Sequence, residues 1–303
     1  MSAVERCGVL GVGSLGAAIA TRLATEGVEV AAYDLHSERV GALADVGVSA
    51  TDSPAELARR SDVVLVALPD TPEIETALGG ETGLEAGLRD RAVLLLLSTV
   101  KPATARDLAQ RLAPRGIDVL DTPVSGGPVA AREGDLAIMA GGSETAYARC
   151  LPVLETLGRP VHVGPIGHGE IAKLANNLMG SVTAVGIAEG LALAAKAGAD
   201  LDKVREAIGG GSGASWILSD WLPRTVFAGR IDADFAVELM VKDMDVLAEY
   251  AHELSVPLRA AELARKTFTE LRDAGHGSED FSVLVAISAA AAGAPLPIDL
   301  EPR

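Results

Sequence analysis

The sequence predicts an α/β protein in which a doubly wound parallel sheet forms the N-terminal domain and an all-α domain follows. Three observations support this prediction. Short apolar runs alternate with helical segments over the first half of the chain, a glycine-rich turn follows the first run, and strand-like runs end near Gly164. We therefore expect an N-terminal domain at residues 1–165 and a helical domain at residues 166–303, joined by a long interdomain helix.

The N-terminal domain contains five short runs of β-branched and aliphatic residues, each of a length typical of a buried strand. They are Cys7–Leu10, Val28–Tyr33, Val63–Leu68, Val93–Leu97 and Ile117–Leu120. The segments between them suit crossover helices, so we expect these strands to lie parallel. Two further runs, Leu136–Ala140 and Pro160–Val163, are expected to add strands at an edge of the sheet.

Beyond Gly164 the pattern of apolar residues is helical. One continuous helix is expected from about Glu170 to Ala197, which at about 1.5 Å per residue would be about 42 Å long. Further helices are expected at Asp202–Ile208, Ser215–Thr225, Ala236–Leu254, Leu258–Ala274 and Ser278–Ala292.

The composition indicates a globular protein and argues against two classes of partner. Hydrophobic residues make up 49% of the chain and charged residues 22%, as in folded proteins. The net charge of −16 argues against nucleic acid, because a phosphate backbone requires a basic face. The apolar stretch Phe281–Pro295 is too short to span a bilayer, so we expect a cytoplasmic protein without a membrane partner. Because the mean hydropathy is positive, we expect a homodimer or homotetramer that buries apolar surface between subunits.

A glycine motif follows the first predicted strand, where Gly11, Gly13 and Gly16 fit the pattern G-x-G-x-x-G. The first glycine permits a tight turn, the second lets the backbone approach a pyrophosphate, and the third allows close packing of helix on strand. With a strand before it and a helix after it, the motif predicts a Rossmann-type dinucleotide-binding domain, although a glycine-rich turn without a ligand is the alternative. The predicted cofactor-binding residues of this motif are Gly11, Val12, Gly13, Ser14, Leu15 and Gly16.

Asp34 lies at the end of the second predicted strand. A carboxylate at this position accepts hydrogen bonds from the adenosine ribose and repels a 2′-phosphate, which favours NAD over NADP. His36, Ser37 and Arg39 offer an alternative, since together they would form a pocket for a 2′-phosphate. NAD is therefore the expected cofactor, with NADP as the alternative.

Two further strand ends are expected to line the cofactor. Leu68 and Pro69 end the third predicted strand, and Thr99 follows the fourth. Ligands of open α/β sheets lie outside the carboxyl ends of the strands, so all three residues are assigned to cofactor binding. Ordinary strand-to-helix turn chemistry is the alternative for each loop.

Two segments combine polar groups in ways that suit a small anionic substrate. Ser125, Gly126 and Gly127 follow a predicted strand, and their consecutive N–H groups would form a nest for a carboxylate. Lys173 and Asn177 lie four residues apart and therefore share one face of the long helix. The alternatives are a simple glycine turn and a solvated polar stripe.

A charged pair, Lys242 and Asp243, lies in a later helix that also carries an apolar stripe. Glu238 precedes Lys242 by four residues, so the spacing alone favours an ion pair on the helix surface.

Together these segments resemble the β-hydroxyacid dehydrogenase family, which includes 3-hydroxyisobutyrate dehydrogenase, tartronate semialdehyde reductase and the more distant 6-phosphogluconate dehydrogenases. The resemblance covers nearly the whole chain and rests on four motifs in order, Gly11–Gly16, Asp121–Gly127, Gly167–Asn177 and Lys242-Asp243. It implies a Rossmann domain followed by a helical domain, with a long helix joining them and the active site between them.

The resemblance also implies roles for the substrate-binding residues. Lys173 matches the family's catalytic lysine, and Asn177 matches the asparagine that orients the substrate. The segment from Ser125 through Gly126 to Gly127 matches the one that holds the substrate carboxylate.

Four further residues match positions around the cofactor and substrate. Thr99 matches a position near the nicotinamide, and Phe235 an apolar lining position. Lys242, with Asp243 beside it, matches a lysine of the cleft, and both Phe235 and Asp243 are assigned to the substrate. Members that use NADP often carry Asn-Arg where this chain has Asp34-Leu35, which again supports NAD.

The expected activity is the interconversion of a small 3-hydroxy carboxylic acid and its semialdehyde, such as 3-hydroxyisobutyrate or glycerate and their semialdehydes. Lys173 would exchange the hydroxyl proton while hydride moves between carbon and cofactor, and His168 is the alternative base. No metal is required. An imine reductase on the same fold and a non-catalytic NAD-binding module are the alternative functions, and the presence of Lys173 argues against the former and, with Asn177, against the latter.

Overall fold

The computed structural model describes residues 6–294 and residue 296, and it divides into two compact units. Unit 1 comprises Met1–Lys173, and unit 2 comprises Leu174–Arg303. The division falls inside a long helix, which begins in unit 1 and continues into unit 2.

Unit 1 is built on a nine-stranded sheet. Its strands are β1 (Cys7–Leu10), β2 (Val30–Tyr33), β3 (Ser49–Ala50), β4 (Val63–Val66), β5 (Val93–Leu96), β6 (Asp118–Asp121), β7 (Val124–Ser125), β8 (Leu136–Gly141) and β9 (Gly158–Gly164). The order is β3-β2-β1-β4-β5-β6-β8-β7, with β9 also paired to β8. The first six strands are parallel to one another, and β8 runs antiparallel to β6 and β7. The predicted doubly wound sheet is thus confirmed, since strand order reverses between β1 and β4.

The central strands are buried on both faces, which explains their uninterrupted apolar sequences. Along β4, Val63 and Leu65 belong to one core cluster, whereas Val64 and Val66 belong to another. Side chains of a strand alternate between the faces of a sheet, so each cluster packs on one face. Helices cover both faces, as parallel sheets require.

The helices of unit 1 connect these strands and are mostly short. They are α1 (Ser14–Thr25), α2 (Ser37–Gly41), α3 (Pro54–Arg60), α4 (Thr71–Leu78), α5 (Leu84–Gly87), α6 (Pro102–Leu112), α7 (Gly127–Glu133) and α8 (Glu144–Leu157). Short 3₁₀ turns lie at Ala44–Val46 and Ala113–Arg115. Helix α9 (His168–Lys196) follows β9 and crosses into unit 2.

Unit 2 is helical among the described residues, apart from isolated β-bridges. It contains the rest of α9, then α10 (Leu201–Gly209), α11 (Leu222–Arg224), α12 (Val237–Glu253), α13 (Arg259–Leu271) and α14 (Val283–Ala291). A 3₁₀ turn lies at Val226–Ala228, and π-helical turns lie at Ile217–Trp221 and Arg272–His276. These helices surround a separate core that includes Phe268 and Val283, both fully buried.

Several predicted boundaries differ from the structure. The helix expected at Ser215–Thr225 is broken into a π-helical turn and a three-residue helix, with a proline, Pro223, in the short helix. The helix expected from Ser278 begins only at Val283, because the N–H groups of Asp280 and Phe281 donate to carbonyl groups of a preceding segment. The two-residue strands β3 and β7 were not predicted, since they are too short to show an alternating pattern.

One described helix, α9, is long and apolar enough to cross a membrane by length and composition, and 33% of its apolar window is buried. A core helix of a globular domain meets the same criteria. The apolar stretch Phe281–Pro295 contains α14, whose Val283 and Val285 are buried in unit 2. Its last residue, Pro295, lies outside the described residues.

Candidate active site

Two glycines of the motif after β1 are required by the packing of the protein itself. Gly11 adopts φ +91°, a conformation that favours glycine, and a Cβ atom there would lie 2.5 Å from the Ala67 carbonyl oxygen. A Cβ atom on Gly16 would collide with the Gly11 carbonyl group. These two positions therefore shape the turn and dock α1 against it.

Gly13 differs from both neighbours in the motif, because no atom of the described residues lies within 4 Å of a Cβ atom built on it. Its φ of −72° is open to any residue, so neither sterics nor backbone conformation demands glycine. The space beside it lies at the start of α1, where backbone N–H groups and the helix dipole favour a phosphate. The loop thus fits a dinucleotide whose pyrophosphate approaches the backbone at Gly13.

This difference predicts opposite effects of alanine at two glycines of one loop. Gly11→Ala should lower the free energy of unfolding by about 1–3 kcal/mol, the usual cost of a forced backbone conformation. Gly13→Ala should cost the fold less than about 1 kcal/mol but raise the dissociation constant for NADH about tenfold, or by about 1.4 kcal/mol. Thermal unfolding without cofactor and fluorescence titration with NADH measure the two effects. Normal NADH binding by Gly13→Ala would exclude this loop as the pyrophosphate site.

Asp34, which directly follows β2, is held by the backbone on both carboxylate oxygens. Its Oδ2 accepts the Val12 N–H at 2.7 Å, and its Oδ1 accepts the His36 N–H at 2.8 Å. The guanidinium group of Arg39 lies 3.5 Å from Oδ1. The Val12 N–H is therefore already hydrogen-bonded to Asp34. The Asp34 carboxylate places a fixed negative charge beside the glycine loop.

The ends of β4 and β5 are joined by a side chain. Ser98 follows β5, and its hydroxyl oxygen accepts the N–H of Leu68 at 3.2 Å. Pro69 and Thr99 are the next residues of these two loops. The predicted cofactor-lining loops are therefore neighbours at the carboxyl edge of the sheet, where ligands of such sheets bind.

The segment predicted to hold a carboxylate is more ordered than a simple loop. Ser125 belongs to β7 and pairs with Ala137 of β8, and Gly127 begins α7. Gly126 and Gly127 have φ angles of +129° and +70°, and a Cβ atom on Gly126 would lie 2.6 Å from the Ala130 side chain. The two glycines thus turn the backbone sharply between a strand and a helix.

The first turn of α9 is fixed to the sheet by two buried carboxylates, neither of which was predicted to have a role. Asp121, at the end of β6, accepts the Gly167 and Glu170 N–H groups, each at 2.8 Å. Glu170 accepts the Val100 N–H at 3.1 Å. Burial raises the pKa of the Asp121 carboxyl above its usual value, while the N–H groups of Glu170 and Gly167 oppose this shift.

Lys173 follows these anchors on α9 and is buried, with 7% of its surface exposed. Asn177 lies four residues further along the same helix and is buried to the same extent. The predicted spacing of the two residues on one helix face is therefore retained, and the solvated polar stripe offered as the alternative does not describe these two side chains.

In unit 2, Asn177 is part of a buried polar chain. Its Nδ2 donates to Asp243 Oδ2 at 2.6 Å, and its Oδ1 accepts from Asn176 at 3.0 Å. The Lys242 ammonium lies 2.7 Å from the other oxygen of Asp243, whose side chain is buried. The orientation of the Asn177 amide is fixed, and its second N–H has no acceptor among the described residues. Lys242 of α12 thus forms an ion pair with the buried Asp243.

Phe235 precedes α12, and its backbone is held by a third buried carboxylate that was not predicted. Asp280 accepts the Phe235 N–H at 3.1 Å and the indole N–H of Trp221 at 2.9 Å. The role of Asp280 could not be predicted from local sequence, because both donors lie more than forty residues away. Among the described residues, no group of three His, Cys, Asp or Glu side chains could hold a metal ion.

The chain matches two family models over almost all of its length. Residues 6–167 match the NAD-binding domain of 6-phosphogluconate dehydrogenase, and residues 167–288 match the domain described as NAD-binding in NADP-dependent 3-hydroxyisobutyrate dehydrogenase.

Characterised relatives and a solved structure agree with these models. The chain is 33% identical to 2-(hydroxymethyl)glutarate dehydrogenase of Eubacterium barkeri, covering 93% of this chain and 94% of the relative. It is 34% identical to L-threonate dehydrogenase of Escherichia coli K12, covering 92% and 93%. A crystal structure of 3-hydroxyisobutyrate dehydrogenase from Salmonella typhimurium superposes with a TM-score of 0.83 at 30% identity, covering 93% of this chain and 99% of that one. The chain therefore belongs to the β-hydroxyacid dehydrogenase family and is an NAD(P)-dependent oxidoreductase of hydroxy acids.

Proposed function

We propose that this protein interconverts a small 3-hydroxy carboxylic acid and its semialdehyde, with Lys173 as the general acid and base. The observation that carries the proposal is a buried lysine four residues from a buried asparagine whose amide is fixed by Asp243. A proton-transferring amine beside an oriented amide N–H suits a reaction at a carbinol or carbonyl oxygen. The named relatives act on hydroxy acids that differ in size, which supports the class of substrate.

The substrate carboxylate is assigned to Ser125, Gly126 and Gly127. The assignment is supported by the glycine turn between β7 and α7, where neither Gly126 nor Gly127 carries a side chain that would hinder the approach of an anion to the backbone. Phe235 is assigned to the apolar part of the substrate, since Asp280 fixes its backbone. Asp243 is also assigned to this site, where it positions Asn177 and Lys242 rather than contacting the anionic substrate itself.

NAD held by the glycine loop and Asp34 would supply the hydride acceptor for oxidation and the hydride donor for reduction. In oxidation, the neutral amine of Lys173 takes the hydroxyl proton at Nζ as the carbon–hydrogen bond breaks. In reduction, the ammonium form of Lys173 returns that proton to the developing alkoxide. Asn177 donates an N–H to the same oxygen and keeps it within reach of Nζ in both directions.

The cofactor is assigned to Gly11, Val12, Gly13, Ser14, Leu15 and Gly16 with Asp34, to Leu68, Pro69 and Thr99 at the strand ends, and to Lys242. NAD is the proposed physiological cofactor. Two backbone N–H groups hold the Asp34 carboxylate, and Oδ2, which accepts the Val12 N–H, retains acceptor capacity for a ribose hydroxyl. Arg39, which would otherwise favour a 2′-phosphate, lies within 3.5 Å of that carboxylate.

Asp34→Asn is expected to reduce the preference for NAD over NADP. Loss of a hydrogen bond to a charged acceptor costs about 1.5–3 kcal/mol, so the ratio of kcat/KM values for NAD and NADP should fall about 10- to 100-fold. Steady-state kinetics with both cofactors measure the ratio. Glu38→Gln, an exposed carboxylate of α2, is the matched control and should leave the ratio unchanged. An unchanged ratio in Asp34→Asn would exclude Asp34 from cofactor selection.

A substrate panel tests the proposed activity. Purified enzyme is assayed by NADH absorbance with 3-hydroxyisobutyrate, glycerate, L-threonate, 3-hydroxypropionate and L-serine, with NADP in parallel and with cyclic imines in the reductive direction as the control. The proposal expects turnover of at least one 3-hydroxy acid and none of the imines. Turnover of imines alone would contradict it.

The exposed apolar side chains of α9 support a proposal for the assembly. We expect a homodimer or homotetramer, because Met179 and Leu193 on α9 are 62% and 74% exposed in the single chain. The native mass from light scattering checks this expectation. The net charge of −16 argues against nucleic-acid and membrane partners, since both carry anionic surfaces, and the proposed location is the cytoplasm.

A further inference from the structure

Asp121 connects the two parts of unit 1 to which the reaction is assigned. It is the last residue of β6, and its side chain is fully buried. Four residues later the chain reaches Ser125, where the proposed carboxylate pocket begins. Through its side chain, Asp121 binds the Gly167 and Glu170 N–H groups at the start of α9.

Lys173 lies three residues beyond Glu170 on the same helix. Three residues correspond to about 4.5 Å along a helix axis and to nearly one turn. Because the helix is continuous, the position of its first turn determines the position of the Lys173 side chain. The hydrogen bonds of Asp121 therefore fix the position of the Lys173 amine relative to β6, the strand that leads into the carboxylate pocket.

The helix start is docked with little space to move. A Cβ atom on Gly169 would collide with the carbonyl groups of Asp121 and Met139, and one on Gly141 would lie 2.7 Å from the Gly169 N–H nitrogen. Glu170 supplies a second attachment to Val100, which follows Thr99 in the proposed nicotinamide loop. A shift of α9 would therefore disturb contacts to two strand ends at once.

Two other helices of unit 1 are capped by serine hydroxyls rather than by a carboxylate. Ser53 and Ser143 accept the N–H groups of Glu56 and Ala146 at the starts of α3 and α8, with no buried charge. A buried carboxylate requires several hydrogen bonds to offset the loss of hydration. Of these three helices, only α9 begins at a buried carboxylate. The two carboxylate oxygens accept two N–H groups at fixed positions, which a single serine hydroxyl cannot do in the same geometry.

We propose that Asp121 is a positioning residue that sets the distance between the Lys173 amine and the carboxylate pocket at Ser125–Gly127. The proposal rests on the function proposed above for Lys173. Asp121 does not touch the substrate, and it acts on the reaction through the position of α9.

Asp121→Asn provides the test, because an amide offers one acceptor oxygen to two N–H donors. In single-turnover measurements, hydride transfer should slow about 10- to 100-fold, the usual effect of an ångström-scale misplacement. The dissociation constant for NADH should stay unchanged. Ser143→Ala, which removes the cap of α8 in the same unit, is the matched control and should leave the hydride-transfer rate unchanged despite a lower melting temperature.

A double-mutant cycle separates positioning from general stability. If Asp121 acts through Lys173, then Asp121→Asn should slow the Lys173→Ala enzyme by less than about threefold, although it slows the wild type by much more. An equal slowing in both backgrounds would overturn the positioning role while leaving the role of Lys173 intact. Near-normal turnover by Lys173→Ala would instead overturn the proposed function.

Asp121→Ser keeps the test available if Asp121→Asn does not fold. It removes the buried charge and leaves one shorter acceptor for the Gly167 and Glu170 N–H groups. The same non-additivity with Lys173→Ala is expected. Additive slowing in this second cycle would also overturn the proposal that the anchored helix start positions the amine.

Discussion

Lys173→Ala is expected to lower kcat about 10²- to 10⁴-fold, the usual contribution of a general acid or base. The dissociation constant for NADH should not change, because Lys173 is assigned to the substrate and the glycine loop to the cofactor. Steady-state kinetics and NADH fluorescence titration measure the two quantities. Small primary amines added to the assay should restore part of the activity, since they can occupy the space of the missing side chain and exchange the proton.

The matched control for this substitution is Lys196→Ala, which removes the same type of side chain at the other end of α9. It should leave kcat and NADH binding unchanged. A fall in kcat of equal size in both variants would show that α9 tolerates no such substitution, and it would remove the specific role assigned to Lys173.

Asp243→Ala is expected to have the second large effect, because it removes the partner of both Asn177 and Lys242. Asp243 is buried but the Lys242 side chain is 22% exposed, so the free energy of unfolding should fall by about 1–3 kcal/mol, the cost of leaving the buried Asn177 amide without its acceptor. The Asn177 amide would also lose its fixed orientation, so kcat should fall about 100-fold as the hydroxyl oxygen is misplaced. Chemical denaturation and steady-state kinetics measure the two effects.

Asp245→Ala is the control for Asp243, since both residues lie on α12. Asp245 forms an ion pair with Arg265 at 2.7 Å, but both side chains are nearly half exposed. A surface pair contributes only about 0–1 kcal/mol, so this variant should unfold almost like the wild type and keep its activity. Wild-type kcat in Asp243→Ala would show that Asn177 needs no orienting partner.

The fold was predictable wherever the pattern of apolar residues was long and regular. The fully buried runs at β1, β4 and β5 were assigned to within two residues, and α9 was assigned to within two residues at each end. The glycine motif located the first turn, because each glycine has a separate steric or ligand-related reason. Short strands such as β7 were missed, since two residues cannot show a period.

The polar supports of the site were less predictable because they depend on contacts between distant parts of the chain. Asp121 binds N–H groups forty-six and forty-nine residues away, and Asp280 binds Trp221 fifty-nine residues away. A local reading of Lys242 favoured an ion pair with Glu238, whereas the structure shows the ammonium on the buried Asp243. Burial decides such pairings, and burial follows from tertiary packing rather than from spacing.

The pH dependence of single-turnover hydride transfer tests the role of Lys173 most directly. In the oxidative direction the wild-type rate should rise with pH and reach a plateau once the amine is neutral. In Lys173→Ala that inflection should disappear, and the slower rate should rise with hydroxide over the whole range. The same inflection and plateau in the variant would show that another group takes the proton, and the proposed mechanism would be wrong.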